Sequence, residues 1–410
     1  MLWSRKPAPI HDRARAVGID LTASRARAEA VGGKPRPLVL DDPDAELPLF
    51  VAGDRRAPEA GRAAFAVCRR TPHLVCSNFL ASLGQSREWR IGRHTLIAET
   101  ALRLVFDKLR GPVVAETDAV AMALPSYLGP AQVTRVGVAA GRAKLPLKGT
   151  AIGALALAAD RAATLLGGKP AAPEVGGPEW VVPLRPAAGG PGALLVIDAD
   201  EFAVSAALVS VETDLVRLVG SAAWPRLAVK TWKDRLLDAV ADRCVRLCRR
   251  DPRDSAEAEQ ALFEQLDGAL DRARAGQRIS LCVRTAHWFQ DVVQQPDEFE
   301  GHCAALARAA GDSIRDFTNG IGLAEPPRAV WLTDAAGRLP GLVRAVHANT
   351  PEGTAVEVLP PNAVASAAAA LVPRWLAADL PRAHLDSVIP LAPAPAGGAR
   401  KPASGSGSMA

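Results

Sequence analysis

Two aspartates stand where a carboxylate can do chemistry. Asp20 closes the apolar run AVGID (16–20) and Asp198 closes LLVID (194–198); each is followed by a short turn and a second run. An apolar run that ends in Asp before a tight turn reads as a strand presenting a carboxylate at its C-terminal end. VGID at 17–20 and LVID at 195–198 form a weak internal repeat, which aims both carboxylates at whatever lies between the two halves. The spacings other chemistries need are missing. No P-loop, dinucleotide fingerprint or HExxH occurs. Neither Ser24 in TASR nor Ser126 in LPSYLG sits in a G-x-S-x-G elbow, and Ser205 reads as a core hydroxyl on a strand. The six cysteines form no CxxC; Cys244 and Cys248 share one helix face without a second pair. His287, beside Trp288 and Phe289, and His302, beside Cys303, lack companion ligands and read as structural. No catalytic residue and no metal site is expected.

Composition bounds the rest. The chain has 410 residues, 49% of them hydrophobic and 23% charged, enough to bury a large core. Its 34 Gly and 33 Pro follow no period, which excludes a collagen-like polymer. The net charge of +5 comes from 49 basic and 44 acidic residues that interleave, with no basic stripe carrying aromatics, so no nucleic-acid partner is expected. No apolar run reaches the length of a membrane span, and the first residues lack a signal-type core, so a cytoplasmic protein without a membrane partner is expected.

The elements that must position the aspartates follow from periodicity. Residues 1–13 read as a flexible leader. AVGIDLTASRARAEAVGG predicts a hairpin, and LPLFVAG a short strand. SREWRIGRHTLIAETALRLVFDKLRG predicts a strand-like piece and an amphipathic helix; VAMALPSYLGPAQVTRVGVAAGRAKL predicts strand, loop and helix; TAIGALALAADRAATLL predicts a buried helix. The Gly/Pro-rich stretch 167–192 reads as the connection between a first unit, 14–166, and a second, 193–378. The second opens with a strand and a further strand pair. It continues with helices from Trp232 to about Ala275, the strand RISLCVRTA, a capped helix with a Gly stop in PDEFEGHCAALARAAGDSIRDFTNGIGL, and two strand–helix units, RAVWLTDAAGRLPGLVRAVHANTP and VEVLPPNAVASAAAALVPRWL. Residues 379–410 read as a disordered tail.

This order of motifs resembles the nucleotide-binding domain of the heat-shock protein 70 (DnaK-type) chaperones, in the actin-like ATPase superfamily. The resemblance covers nearly all of 14–378. VGIDLTAS resembles the first phosphate loop, and Gly61 to Gly84 an early family segment. Pro125, Tyr127 and Gln132 resemble a family helix entry, LKGTAIGALALAAD the connecting helix, and VIDADEFAVSAAL the second phosphate loop. VWLTDAAGRLPGLV, with Arg338, Leu339 and Pro340, resembles the adenosine motif. The resemblance implies an α/β, actin-like fold of two lobes, each a mixed β-sheet flanked by helices. Asp20, Thr22, Ser24, Asp198, Arg338 and Pro340 are then the remnant of a nucleotide cleft.

The departures point away from ATP turnover. Thr22 stands where the family needs a glycine for close backbone approach to phosphate. Asp200 and Glu201 add carboxylates to the second loop, and Asp334 another at the adenosine motif, where each would repel a triphosphate. Phe65 replaces the family's catalytic lysine and Lys148 its magnesium-binding glutamate; Thr231-Trp232-Lys233 replaces its nucleotide-clasping Gly-Gly-Glu. Lys148 is expected to substitute for the metal, its ammonium between Asp20 and Asp198. The resemblance thus implies a pseudo-ATPase without bound cofactor that serves as an interaction scaffold for another protein. Residues 379–410 leave no room for the family's peptide-binding domain. The alternatives are an ATP-binding protein or weak Mg-dependent ATPase with a chaperone-related role, and a cytoskeletal or pilus-assembly relative.

Overall fold

The computed structural model describes residues 15–32, 34–53, 56–166, 192–323, 325–381 and 384–391. β1 (Ala16–Leu21) and β2 (Arg25–Val31) form the expected antiparallel hairpin, extended by β3 (Arg36–Pro37) and β4 (Glu46–Pro48), which both pair with β2. β5 (Phe50–Ala52), β6 (Glu59–Ala60) and β7 (Val75–Ser77) make a small sheet of their own, with α1 (Arg62–Phe65) inside it in sequence. β8 (Glu88–Ile91) and β9 (His94–Ile97) form a hairpin where one strand was expected. Next come α2 (Ala98–Glu116), β10 (Val120–Leu124), α3 (Pro130–Arg142), β11 (Leu147–Ile152) and α4 (Gly153–Leu165). Helix α4 starts later than expected, because Thr150–Ile152 pair with β10 as strand.

After 192 the pattern repeats. β12 (Gly192–Ala199), β13 (Val204–Val211) and β14 (Leu215–Trp224) are consecutive antiparallel strands. α5 (Val229–Cys248) and α6 (Ala256–Arg274) follow, then β15 (Ile279–Arg284), β16 (Phe289–Gln294) and α7 (Pro296–Ile321), whose stop is Gly322 at φ 68°. β16 was not expected; its sequence FQDVVQ shows strand character only when paired with β15. The chain goes on through β17 (Ala329–Leu332), α8 (Asp334–Gly337), α9 (Leu342–Ala348), β18 (Ala355–Val358), α10 (Ala363–Leu376), β19 (His384–Leu385) and β20 (Val388–Pro390).

The fold is mixed α/β, and its two large sheets share one strand order. β3-β2-β1-β10-β11 is matched by β14-β13-β12-β17-β18: in each, a hairpin is followed by two parallel strands on the far side of its first strand. Period-two alternation distributes the cores. Val17, Ile19, Val120 and Met122 face a core with α2 and α3. Leu195, Ile197, Ala206 and Leu208 face another with α5, α6 and α7. The opposite faces, with Ala16, Ala121, Leu194 and Val196, join a third core shared by both sheets and filled by α4 and α10.

Two boundary expectations are corrected. Helix α10, assigned from sequence to the second unit, lies on the first sheet, where a Cβ on Gly18 would sit 1.8 Å from the Ala365 carbonyl oxygen. Its alanines make that approach possible. Of the expected tail 379–410, residues 379–381 and 384–391 are described and take part in the fold: β19 runs parallel to β11 and β20 antiparallel to β14, so one segment edges both sheets. Leu385 and Ile389 are buried there, and apolar burial together with two open sheet edges orders the segment. The expected leader 1–13, the connection 167–192 apart from Gly192, and residues 392–410 lie outside the described residues. Among the described residues no helix is long and apolar enough to cross a membrane.

Candidate functional site

Alternation brings the two aspartates together. Asp20 shares a face with Ala16 and Gly18, and Asp198 with Leu194 and Val196, so both carboxylates leave the C-terminal ends of their strands on the faces that share a core. Burial, then the neighbouring Asp198, raises the Asp20 carboxyl from 3.8 to about 7, although Arg27 and Arg25 pull it down. Burial likewise raises Asp198 to about 6, against the Thr333 hydroxyl, which donates to its Oδ1 at 2.5 Å. Two small cavities adjoin the pair, one of about 30 Å³ reaching Ser126 and Ser205, the other of about 10 Å³ reaching Arg25 and Asp334. Space of this size admits about one or two waters.

The turns that follow the aspartates bind each other. The Thr22 hydroxyl donates to Arg25 O at 3.1 Å and accepts from Ser24 N and Arg25 N, so it closes its own turn. Ser24 Oγ accepts the Glu201 backbone N–H at 2.8 Å. Asp200 is 1% exposed and gathers donors from both turns. Its Oδ2 accepts Ala23 N at 2.9 Å and the Tyr127 hydroxyl; its Oδ1 accepts Phe202 N at 2.9 Å and Ala203 N at 3.0 Å. Burial still holds the Asp200 carboxyl above its ordinary range, with the Tyr127 and backbone donors working against it. From sequence Asp200 read only as an added charge. In the fold it is an internal anion, seated on the kind of backbone N–H cluster that otherwise receives an external one.

Lys148 does not lie between the aspartates. It is exposed, at the irregular register where Val120 pairs with Leu147 and Ala121 with Gly149; Ala151, by contrast, is level with Ala123 and hence with Asp20. Three strand residues separate the two levels, about 10 Å. Ile152, Gly153 and Ala154 line the cavity instead. The cations nearest the pair are Arg25 and Arg27. Arg27 is bound to Glu46, to Asp334 at 3.0 Å and to Pro361 O at 2.9 Å, and Arg274 holds the other Asp334 oxygen at 2.7 Å. Burial pushes Asp334 upward, and these arginines outweigh it and leave the carboxyl below its usual range. Asp334 is therefore the centre of an ion network that ties α8 to β2.

The remaining sequence-marked residues are structural anchors. Arg338 is buried, pairing with Asp271 at 2.7 Å and donating to Asp267 O at 2.8 Å; Pro340 is buried in the turn before α9. Phe65 packs on Phe50 and Phe263, with ring centroids 5.3 and 5.4 Å away. The second sheet's helices reach the region around α1 through Arg69, bound to Asp234, and Gln260, which donates to Phe65 O and accepts Arg69 N. Sequence reasoning missed this long-range pairing within the chain, since nothing local couples residues 65–69 to 234–260. The N–H groups of Ala23, Phe202 and Ala203, which a phosphate would need, are taken by Asp200, and the two cavities beside the aspartates measure only about 30 and 10 Å³. Among the described residues no three His, Cys, Asp or Glu are grouped to hold a metal ion. No protein-family model and no curated protein matches the chain.

Proposed function

We propose that this chain is a degenerate actin-like domain of the heat-shock protein 70 type, with no ATPase activity of its own, that works as an interaction scaffold for another protein. The repeated strand order of the two large sheets supports the actin-like reading. The observation that carries the loss of nucleotide chemistry is the Asp200 carboxylate, which takes N–H groups from the turns after β1 and β12 together with the Tyr127 hydroxyl. An anion fixed by the chain removes the sites a phosphate needs and locks the two turns against each other without a ligand. A scaffold benefits from that rigidity, because its surface does not depend on nucleotide state.

Thermal unfolding of the full chain with and without millimolar Mg-ATP tests the reading. Ligand at 100 times its dissociation constant stabilises a folded protein by about 2.7 kcal/mol. An unchanged Tm, with no phosphate released, is expected. A shift of several degrees would return the chain to the nucleotide-binding proteins, and phosphate release to the working ATPases.

A further inference from the structure

Beside the locked turns lies a cavity of about 480 Å³, within the range of about 300–1,000 Å³ that small organic ligands occupy. Pro48, Phe50, Phe65, Leu270 and Leu339 supply apolar wall. The cations on its lining are engaged: Arg25 with Glu46 at 3.1 Å, Arg62 with Asp44, Lys233 with Asp267 at 3.0 Å, and Arg338 with Asp271 at 2.7 Å. Glu201 differs. It is only 9% exposed, lines the cavity, and has no hydrogen bond or ion pair to its carboxylate among the described residues. Its backbone is fixed by the Ser24 hydroxyl, so the carboxylate's place is set where the two turns meet. Lys233 is the nearest stabilising cation, yet Asp267 already holds it.

We propose that this cavity binds a small organic amine, its ammonium or guanidinium group on the Glu201 carboxylate and its apolar body against Phe50 and Phe65. A largely buried carboxylate that faces only the cavity, with no cation among the described residues paired to it, gains from an incoming cation. An anionic ligand would meet Glu201 and Glu264 with every lining cation spoken for. Among the described residues a bare metal ion would find one free carboxylate there and no ligand cluster. The inference goes beyond the scaffold reading: the amine would use the Glu201 carboxylate on the turn after β12, while the Asp200 hydrogen bonds that lock the two turns stay in place.

The test is calorimetric titration and thermal unfolding of the full chain with phenethylamine and agmatine as probes, 2-phenylethanol as the neutral match of the first, and Mg-ATP as the anionic arm. Phenethylamine or agmatine is expected to raise Tm at millimolar concentration, while 2-phenylethanol does not. Glu201→Gln is expected to fold with an unchanged or higher Tm and to lose at least about tenfold in amine affinity, about 1.4 kcal/mol. Ala66→Trp, at an exposed lining position, narrows the cavity without altering the buried core and should weaken amine binding as well. It keeps the test decisive if the Glu201 variant does not fold. Absence of any amine effect on the wild-type chain overturns the proposal, as does amine binding that survives in both variants. If amines and Mg-ATP both fail, this inference falls and the scaffold reading stands; if Mg-ATP alone binds, both fall.

Discussion

At the scale of single residues, the site is governed by carboxylates that the fold buries, and each is handled differently. Asp200 is satisfied by four donors, so Asp200→Ala orphans three backbone N–H groups and the Tyr127 hydroxyl at once. That substitution is expected to cost about 2–4 kcal/mol in chemical denaturation, with Asp200→Asn falling between it and wild type. Asp20 and Asp198 are handled by protonation. With folded values of about 7 and about 6 against 3.8, the folded chain holds more protons than the unfolded chain across roughly pH 4 to 7. Their contribution to stability therefore falls as pH rises through that window and is level above it. Asp20→Asn should have little effect on Tm near pH 4 and stabilise by about 1–3 kcal/mol near pH 8, read from unfolding curves across the range. The two aspartates were legible in the sequence because a strand-end carboxylate before a tight turn is a local pattern. Lys148 was misplaced because its position depends on a register irregularity between β10 and β11, which no local pattern records.

Elements supply the close approaches that the residues exploit. Gly18 faces the backbone of α10, and Gly149 lies under the Trp375 indole, where an added Cβ would come within 2.2 Å of the ring. Gly18→Ala must push α10 off the first sheet, because its neighbours are backbone atoms that cannot rotate away. A loss of at least about 3 kcal/mol, or failure to fold, is expected in denaturation experiments. At the other edge, β19 and β20 depend on short apolar inserts. Ile389 is fully buried beside β14, so Ile389→Ala should cost about 2–4 kcal/mol. Most helices and strands were legible from their hydrophobic periods. β16 and β19–β20 were not, because such short strands are stabilised by partners distant in sequence.

The whole molecule is two sheets of one strand order pressed onto a shared middle layer of α4 and α10, and the aspartates meet because both sheets turn their second faces toward that layer. Ion pairs from Arg27 to Asp334 and from Arg69 to Asp234, together with the β19–β20 segment, tie the two sheets together. A chain cut after Asp379 loses that segment. It is expected to show a lower Tm and faster proteolysis throughout, since β11 and β14 both become open edges. The sequence by itself determined most of the strands and helices, the repeat of strand and hairpin, and the presence of a carboxylate at each repeat, because these follow from side-chain period and turn chemistry along a few residues. Only the tertiary structure decided what those carboxylates face. Whether Asp200 repels a ligand or satisfies the chain's own N–H groups, whether Lys148 or Arg27 lies nearer the pair, and whether Glu201 is left without a partner all depend on distances between segments far apart in the chain. Those distances are set by the packing of whole sheets, which no neighbouring residue encodes.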